Sequence, residues 1–174
     1  MKFCKQAFIV LAFFAFCLVP CAVFAIEAGM QAPDFKLQDV DGFEVSLSDF
    51  KGRLIVLKLT TTWCPTCKEL SSEIEKAGAA LKDQDVVVLE VFVQDSKAAV
   101  KEYLGGYNFP MTYHALLDDG QAYKAYNVYL IPRLLVIDAE QVVRFDSSGR
   151  NLLAGDLEAL VEEFKLSSAD DGSS

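Results

Sequence analysis

Residues 60–68, Thr60-Thr61-Thr62-Trp63-Cys64-Pro65-Thr66-Cys67-Lys68, connect a predicted strand to a predicted helix and decide the fold. The apolar, β-branched run before them, residues 54–59, is typical of a buried strand. The helix after them has one apolar face, formed by Leu70, Ile74, Ala77 and Leu81. Cys64 therefore lies at the start of a helix, where the helix dipole and free backbone N–H groups favour a thiolate. Pro65 suits the first helical turn, because a missing N–H there costs no hydrogen bond.

Two cysteines of this stretch, Cys64 and Cys67, are about one helical turn apart and can form a disulfide within one loop. A purely structural disulfide is the weaker interpretation, because so short a loop constrains the unfolded chain little. The other cysteines, Cys4, Cys17 and Cys21, fall in an apolar N-terminus and are interpreted as small apolar residues. The spacing therefore predicts a redox-active pair whose own disulfide is the redox group, with no other cofactor expected.

The sequence Trp63-Cys64-Pro65-Thr66-Cys67 resembles the active-site motif of the thioredoxin superfamily. More closely, it resembles the TlpA/ResA/DsbE group of extracytoplasmic thiol-disulfide oxidoreductases, and the similarity extends from about Gly29 to Phe164. This resemblance implies an α/β, thioredoxin-like fold with a mixed central sheet, helices on both faces, an N-terminal β-hairpin and a helical insertion. It also implies a function in reducing disulfides of exported proteins, often during cytochrome c maturation.

The predicted order of elements agrees with that fold. Alternating residues on either side of Asp39-Val40-Asp41-Gly42 predict the hairpin, and Ser48 is expected to cap a short helical turn after it. A helix is predicted from Pro65 to about Lys82, and a strand buried on both faces from Val86 to Val93. The helical insertion is predicted from Lys97 to about Leu104.

Two thiols and one proline carry the predicted chemistry. Cys64, at the helix start, is expected to be the nucleophile that attacks a substrate disulfide, and Cys67 is expected to resolve the mixed disulfide. Ile131-Pro132 matches the cis-proline of the superfamily, which implies that the Ile131 backbone pairs with an extended peptide substrate. Trp63 is expected to pack at the rim of the site and shield the disulfide, and no metal is expected there.

Two residues depart from the pattern of the family. Lys58 stands six residues before Cys64, where thioredoxin has a buried acid. It either accepts a proton as a low-pKa amine, stabilises a thiolate as a cation, or extends to solvent without a catalytic role. Arg133 replaces the threonine that commonly follows the cis-proline. It either lowers the Cys64 pKa, selects acidic partners, or is a plain surface charge.

The N-terminus has the layout of a secretory signal peptide over residues 1–25. Lys2 and Lys5 precede an apolar run, and Val23-Phe24-Ala25 offers small residues for cleavage. The same stretch is long enough for an uncleaved membrane anchor, and residues 18–21 resemble a lipoprotein box ending at Cys21. Residues 26–166 are then the thioredoxin-like domain, and residues 167–174 a polar, disordered tail.

The charge of the chain narrows the choice of partners. The net charge of −9 becomes −11 without residues 1–25, because they contain two lysines and no acid. So acidic a chain is a poor partner for nucleic acid or an anionic membrane. The signal-peptide layout predicts a periplasmic or extracytoplasmic location, and a monomer is expected. The resemblance to the TlpA/ResA/DsbE group implies a protein thiol or disulfide as substrate and a membrane protein as electron donor.

Two other functions compete with this interpretation. A peroxiredoxin-type peroxidase needs a threonine three residues before its cysteine, which Thr61 provides, and a proline seven residues before it, where Leu57 stands. A tetrahedral zinc site needs two further Cys or His ligands besides the cysteine pair. His114, the only histidine, lies far from the pair in sequence and is expected to have a core or surface role.

Overall fold

A computed structural model describes residues 26–150 and 152–171, and describes side chains as far as residue 166. The predicted signal peptide or anchor, residues 1–25, lies outside the described residues. No helix in the described part of the chain combines the length and the apolar character needed to span a membrane.

The described strands form one mixed sheet in the order β2-β1-β5-β4-β3-β6-β7. Their bounds are β1 (Lys36–Asp39), β2 (Glu44–Ser46), β3 (Ile55–Thr60), β4 (Val87–Val93), β5 (Thr112–Asp118), β6 (Arg133–Ile137) and β7 (Val143–Ser148). The three central strands β3, β4 and β5 run parallel, and the remaining pairs are antiparallel. Central strands of a parallel arrangement are covered on both faces, and every residue of β3 and β4 is buried.

The helices connect the strands of this sheet. A 3₁₀ helix (Leu47–Phe50) precedes β3, and the α-helices are α1 (Pro65–Lys76), α2 (Gly78–Asp83), α3 (Lys97–Leu104), α4 (Gln121–Ala125) and α5 (Ala154–Asp171). Helix α1 follows β3 directly, so the redox cysteines lie between the central strand and the helix, as the sequence predicted.

Helices cover both faces of the sheet. On one face, α1, α2 and α5 pack against alternate residues of the central strands, among them Val56, Val88 and Val136. On the other face, the 3₁₀ helix and α4 pack against the intervening residues, among them Leu57, Leu89 and Leu135. The predicted hairpin is present as β1 and β2, and the predicted insertion is present as α3 between β4 and β5.

The helix predicted as continuous from residue 65 to residue 82 is interrupted at Ala77, where α1 ends and α2 begins. Gly78, the first residue of α2, favours a break here because glycine is a poor helix former. A Cβ atom on Gly78 would lie 2.7 Å from Cδ of Pro110, so the close approach of the chain between α3 and β5 requires a glycine at this position. That approach comes from a residue remote in sequence, and the apolar periodicity of the helix carries no sign of it.

One further sequence prediction is corrected, since the 3₁₀ helix is capped by Ser46 instead of Ser48, in a capping box with Asp49. Helix α5 continues past Phe164 as far as Asp171. The stretch contains neither proline nor glycine before Gly172, so no residue in it breaks the helix. Residues 172–174 of the predicted disordered tail lie outside the described residues.

The close approach at Gly78 makes a stability prediction. We expect Gly78→Ala to lower the free energy of unfolding by about 1–3 kcal/mol, because the new methyl overlaps the Pro110 ring. Gly155→Ala in α5 is the matched control, since a Cβ there meets no atom within 4 Å, and helix propensity then favours alanine by up to about 1 kcal/mol. Urea unfolding of both variants checks this, and equal stability of the two would contradict the packing argument.

Candidate active site

Cys64 occupies the N-cap position of α1, the last position before the helix. Its Sγ accepts the backbone N–H of Cys67 at 3.3 Å and lies 3.2 Å from the Thr66 hydroxyl. Cys64 is 5% exposed and Cys67 is fully buried, and both are free thiols. The first sulfur is thus held at the free N–H groups of the helix and has limited access to solvent, whereas the second lies beneath it.

The surroundings of the two thiols give them different pKa values. Burial acts to raise the pKa of Cys64, but hydrogen bonds from Cys67 and Thr66 outweigh it, and the pKa lies below its ordinary value. For Cys67, burial together with its interaction with Cys64 raises the pKa to about 11. Cys64 is therefore the more acidic of the two thiols and the one that forms a thiolate first, and a thiolate is the form that attacks disulfides.

Beneath the cysteines lies a buried polar network centred on Lys58 of β3. Lys58 Nζ is 2.7 Å from Glu90 Oε1 on the adjacent strand β4, and neither side chain is exposed. The same Nζ donates to the carbonyl oxygen of Cys67 at 2.8 Å and to the hydroxyl of Ser71 on α1. The prediction that Lys58 extends to solvent is therefore wrong, since the pairing of β3 with β4 places Lys58 directly opposite Glu90.

The outer members of this network are two tyrosines. Tyr103 of α3 donates to Ser71 Oγ at 2.6 Å, and Tyr113 of β5 donates to Glu90 Oε2 at 2.6 Å. Burial and the nearby Glu90 charge raise the pKa of both phenols, so each remains protonated and able to donate.

The hydrogen bonds of the network assign its protonation states. An ammonium has three N–H donors, and Lys58 has three acceptors, on Cys67, Ser71 and Glu90. Ser71 in turn donates to Glu90 Oε1 at 3.0 Å, so the carboxylate receives three donors in all. Every proton is accounted for when Lys58 is charged and Glu90 is ionised. In this arrangement Lys58 has no lone pair with which to accept a proton from Cys67.

A second contact joins the cysteine loop to α3. Asp95 accepts the backbone N–H of Thr62 at 2.8 Å and its hydroxyl at 2.7 Å. Sequence reasoning missed both Glu90 and Asp95. For Glu90 a signal existed, because a single acid inside an apolar strand requires a buried partner. For Asp95 the sequence offers no such signal, since polar residues are ordinary before a helix N-cap such as Ser96.

The other side of the site is formed by the segment before β6. The Ile131–Pro132 peptide bond is cis, the isomer that the sequence predicted. Within the described residues, no backbone hydrogen bond involves the N–H or C=O of Ile131. Tyr129 is 86% exposed and Leu130 is 61% exposed. Trp63, next to Cys64 in the chain, is 71% exposed, so its ring is available to a substrate.

The structure places Arg133 in the interior, with only 6% of its surface exposed. Its guanidinium pairs with Asp146 of β7, with Nη2 and Oδ2 2.6 Å apart. The prediction of a plain surface charge is therefore wrong, because β6 and β7 enclose the side chain.

The described residues contain no group of three or more His, Cys, Asp or Glu side chains that could hold a metal ion. His114 lies in β5, half-buried, with its ring 5.2 Å from that of Phe50. The structure brings Cys64, Cys67 and Lys58 together and leaves His114 out of the cysteine site.

Comparison with known proteins agrees with this geometry. The sequence profile of the AhpC/TSA family matches residues 28–146. The chain belongs to the AhpC/TSA family. It is 36% identical over 125 residues to the thiol-disulfide oxidoreductase ResA of Bacillus subtilis, covering 68% of each chain. It is 31% identical over 142 residues to ResA of Geobacillus kaustophilus, covering 81% of this chain and 80% of that protein.

The fold of this AhpC/TSA member also matches solved structures. The thioredoxin domain of a thiol-disulfide oxidoreductase from Bacteroides vulgatus superposes with a TM-score of 0.70 at 22% identity, covering 80% of this chain and 99% of that one. The predicted thioredoxin-like α/β fold is confirmed.

The separated acidities of the thiols predict a two-step alkylation profile. In the reduced protein, we expect Cys64 to react with a midpoint pH below that of an ordinary cysteine, and Cys67 only near pH 11. Thr66→Val should raise the first midpoint, because it removes a hydrogen bond to the sulfur. Mass spectrometry of iodoacetamide-treated protein across pH checks both steps, and one shared midpoint for the two thiols would contradict the assignment.

The buried pair predicts a large and specific loss of stability. We expect Lys58→Met to lower the free energy of unfolding by about 3–5 kcal/mol, because it leaves Glu90 charged and unpaired in the interior. Lys58→Met with Glu90→Leu should recover most of that loss, since no buried charge remains. Lys68→Met, on the exposed side of α1, should stay within about 0.5 kcal/mol. Denaturant unfolding measures all three, and a single Lys58→Met variant as stable as the double variant would refute the assigned ion pair.

Proposed function

We propose that this protein is an extracytoplasmic thiol-disulfide oxidoreductase that reduces disulfides of exported proteins through Cys64 and Cys67. The observation that carries the proposal is the difference in acidity between two adjacent thiols, one at a helix N-terminus and one buried beneath it. The ResA relatives are named thiol-disulfide oxidoreductases, which supports the same reaction class.

The first step is attack by Cys64. Its thiolate forms a bond to one sulfur of the substrate disulfide, the substrate sulfur–sulfur bond breaks, and the other substrate sulfur leaves as a thiolate. That thiolate takes up a proton from solvent. The protein and the substrate are then joined through a mixed disulfide at Cys64.

The second step is resolution by Cys67. Its thiol loses its proton to solvent, and the resulting thiolate attacks the Cys64 sulfur. The Cys64–Cys67 disulfide forms as the mixed disulfide breaks, and the second substrate sulfur leaves and is protonated. Two electrons have passed from the cysteine pair to the substrate. A protein thiol donor, for which a membrane protein is our candidate, must return them.

Lys58 supports the second step by fixing the position of Cys67. Its ammonium donates to the carbonyl oxygen of Cys67 and is held there by Glu90 and Ser71. Because Glu90 pairs with its charge at 2.7 Å, Lys58 acts on the Cys67 backbone. We therefore assign Lys58 to holding Cys67 in place for its attack on Cys64, in preference to accepting a proton as an amine.

The substrate lies along the segment before Pro132. The free N–H and C=O of Ile131 can pair with an extended peptide in the manner of an added strand. Trp63, Tyr129 and Leu130 offer exposed apolar surface to the side chains of such a peptide. Aromatic side chains of this kind are enriched in protein interfaces.

The direction and setting of the reaction form the finer part of the proposal. We assign the protein to the extracytoplasmic face, delivered by residues 1–25, and to the reducing direction, with cytochrome c maturation as one setting. The predicted signal peptide and the named ResA relatives support these assignments.

The reduction potential of the Cys64–Cys67 pair tests the reducing direction. We expect a value near or below the roughly −270 mV of thioredoxin, measured by equilibration with thiol buffers. In addition, Cys67→Ser should accumulate a mixed disulfide with protein substrates, whereas Cys64→Ser should form none. A potential near the roughly −120 mV of DsbA would reverse the direction, and trapping by Cys64→Ser would reverse the two roles.

A peroxidase is the second candidate, since the AhpC/TSA profile covers residues 28–146 and Thr61 stands three residues before Cys64. The position seven residues before Cys64 holds Leu57, which is buried in β3. Consumption of hydrogen peroxide by the reduced protein faster than its reduction of insulin disulfides would favour the peroxidase.

A further inference from the structure

Arg133 directly follows Pro132, and its buried guanidinium contacts three separate parts of the chain. Its Nε donates to Asp146 Oδ1 at 3.0 Å and its Nη2 donates to Asp146 Oδ2 at 2.6 Å, which is a bidentate pair. Nη2 also donates to the carbonyl oxygen of Ile26 at 3.2 Å. Nη1 donates to the carbonyl oxygen of Tyr126 and, at 3.4 Å, to that of Asn127.

These contacts use the whole donor capacity of the side chain. A guanidinium has five N–H groups in a fixed plane, and the five contacts above match that number. No donor remains for an acidic partner or for Cys64. The residue therefore acts through the segments that it holds, and a lysine, with a single nitrogen, cannot reach the same set of acceptors.

The position of the acceptors shows which segment is held. Tyr126, the C-cap of α4, and Asn127 follow the last helical residue, where backbone carbonyls lack partners within the helix. Asn127 has a left-handed φ of 48°. At the other end of the segment, the N–H of Gly149 donates to the carbonyl oxygen of Pro132 at 2.8 Å. Residues 129–131, which present the free Ile131 backbone, lie between these two attachments.

We infer that Arg133 is a positioning residue for substrate binding. Together with Asp146 it fixes the end of α4, and so holds residues 129–131 in the conformation that receives an extended peptide. This inference rests on the proposed function. It assigns Arg133 to recognition of protein disulfides and leaves the Cys64–Cys67 chemistry to other residues, because no donor of the guanidinium is directed to either sulfur.

The fixed segment lowers the cost of binding. A peptide that pairs with a flexible segment must order it, and a segment ordered in advance avoids that loss of conformational entropy. A small disulfide that reaches Cys64 without pairing to the Ile131 backbone gains nothing from this order. We therefore expect loss of Arg133 to impair the reduction of protein disulfides and to leave the reduction of small disulfides unchanged.

The test compares Arg133→Met, Arg133→Lys and Arg144→Met in the full chain. Arg144 of β7 is the matched control, because its guanidinium pairs with Asp138 at 2.5 Å, outside the 126–132 segment. The readouts are steady-state reduction of insulin, reduction of dithiobis-nitrobenzoate, the reduction potential, and amide hydrogen exchange of residues 126–128.

We expect Arg133→Met to raise the KM for insulin by about tenfold with little change in kcat, which is the signature of lost substrate binding. Reduction of dithiobis-nitrobenzoate and the reduction potential should match the unaltered protein. Arg133→Lys should resemble Arg133→Met, because it keeps the charge and loses the planar fork. Arg144→Met should show the unaltered KM for insulin.

Hydrogen exchange keeps the test independent of turnover. The amides of residues 126–128 are the reporters, because each donates to a carbonyl oxygen of α4. We expect faster exchange confined to residues 126–128 in Arg133→Met, with Arg144→Met unchanged there. If the unaltered protein reduces no disulfide, the proposed function fails, and confined exchange still supports the positioning role. Unchanged exchange at residues 126–128, uniformly faster exchange throughout the chain, or equal losses with insulin and dithiobis-nitrobenzoate would each overturn the inference.

Discussion

The ion pair between Lys58 and Glu90 joins the elements that build the redox site. Lys58 lies in β3, Glu90 lies opposite it in β4, and Ser71, which bonds to both, belongs to α1. Removing two charges from water is expensive, and only complete hydrogen bonding compensates for it. The network meets that condition through Tyr103 and Tyr113, and therefore fixes α3 and β5 relative to the cysteines as well.

The two thiols differ because the junction between strand and helix treats them differently. Cys64 stands at the free N–H groups of α1, where a hydrogen bond from the Cys67 backbone stabilises its thiolate. Cys67 is one turn further, buried in the helix, where ionisation is opposed by loss of solvent. One local geometry thus lowers the pKa of the first thiol and raises that of the second.

Helix α3 and the segment before β6 enclose the site from opposite sides. Asp95 and Tyr103 attach α3 to the cysteine loop and to α1. Arg133 and Gly149 attach the two ends of the other segment. Buried polar groups therefore hold one side of the reacting sulfurs. The other side presents a free backbone edge and exposed apolar side chains. Such an arrangement suits an enzyme whose two sulfurs are held in place and whose protein substrates enter from one side.

The sequence alone determined the junction of strand and helix, the position of Cys64 at a helix start and the N-terminal hairpin. These features depend on residues a few positions apart, through apolar periodicity, turn chemistry and the motif itself. The predicted roles of the two thiols follow from the place of Cys64 at that helix start. The resemblance to the thioredoxin superfamily then supplied the mixed sheet and the cis-proline.

Only the tertiary structure decided the state of Lys58 and of Arg133. Lys58 meets Glu90 from 32 positions away, and Arg133 meets Ile26 across 107 positions. The sequence left each of these side chains with several roles, because a charge is either solvated or paired and local patterns do not identify a distant partner. The requirement for glycine at position 78 has the same origin, since Pro110 approaches Gly78 only once the sheet has brought the two segments together.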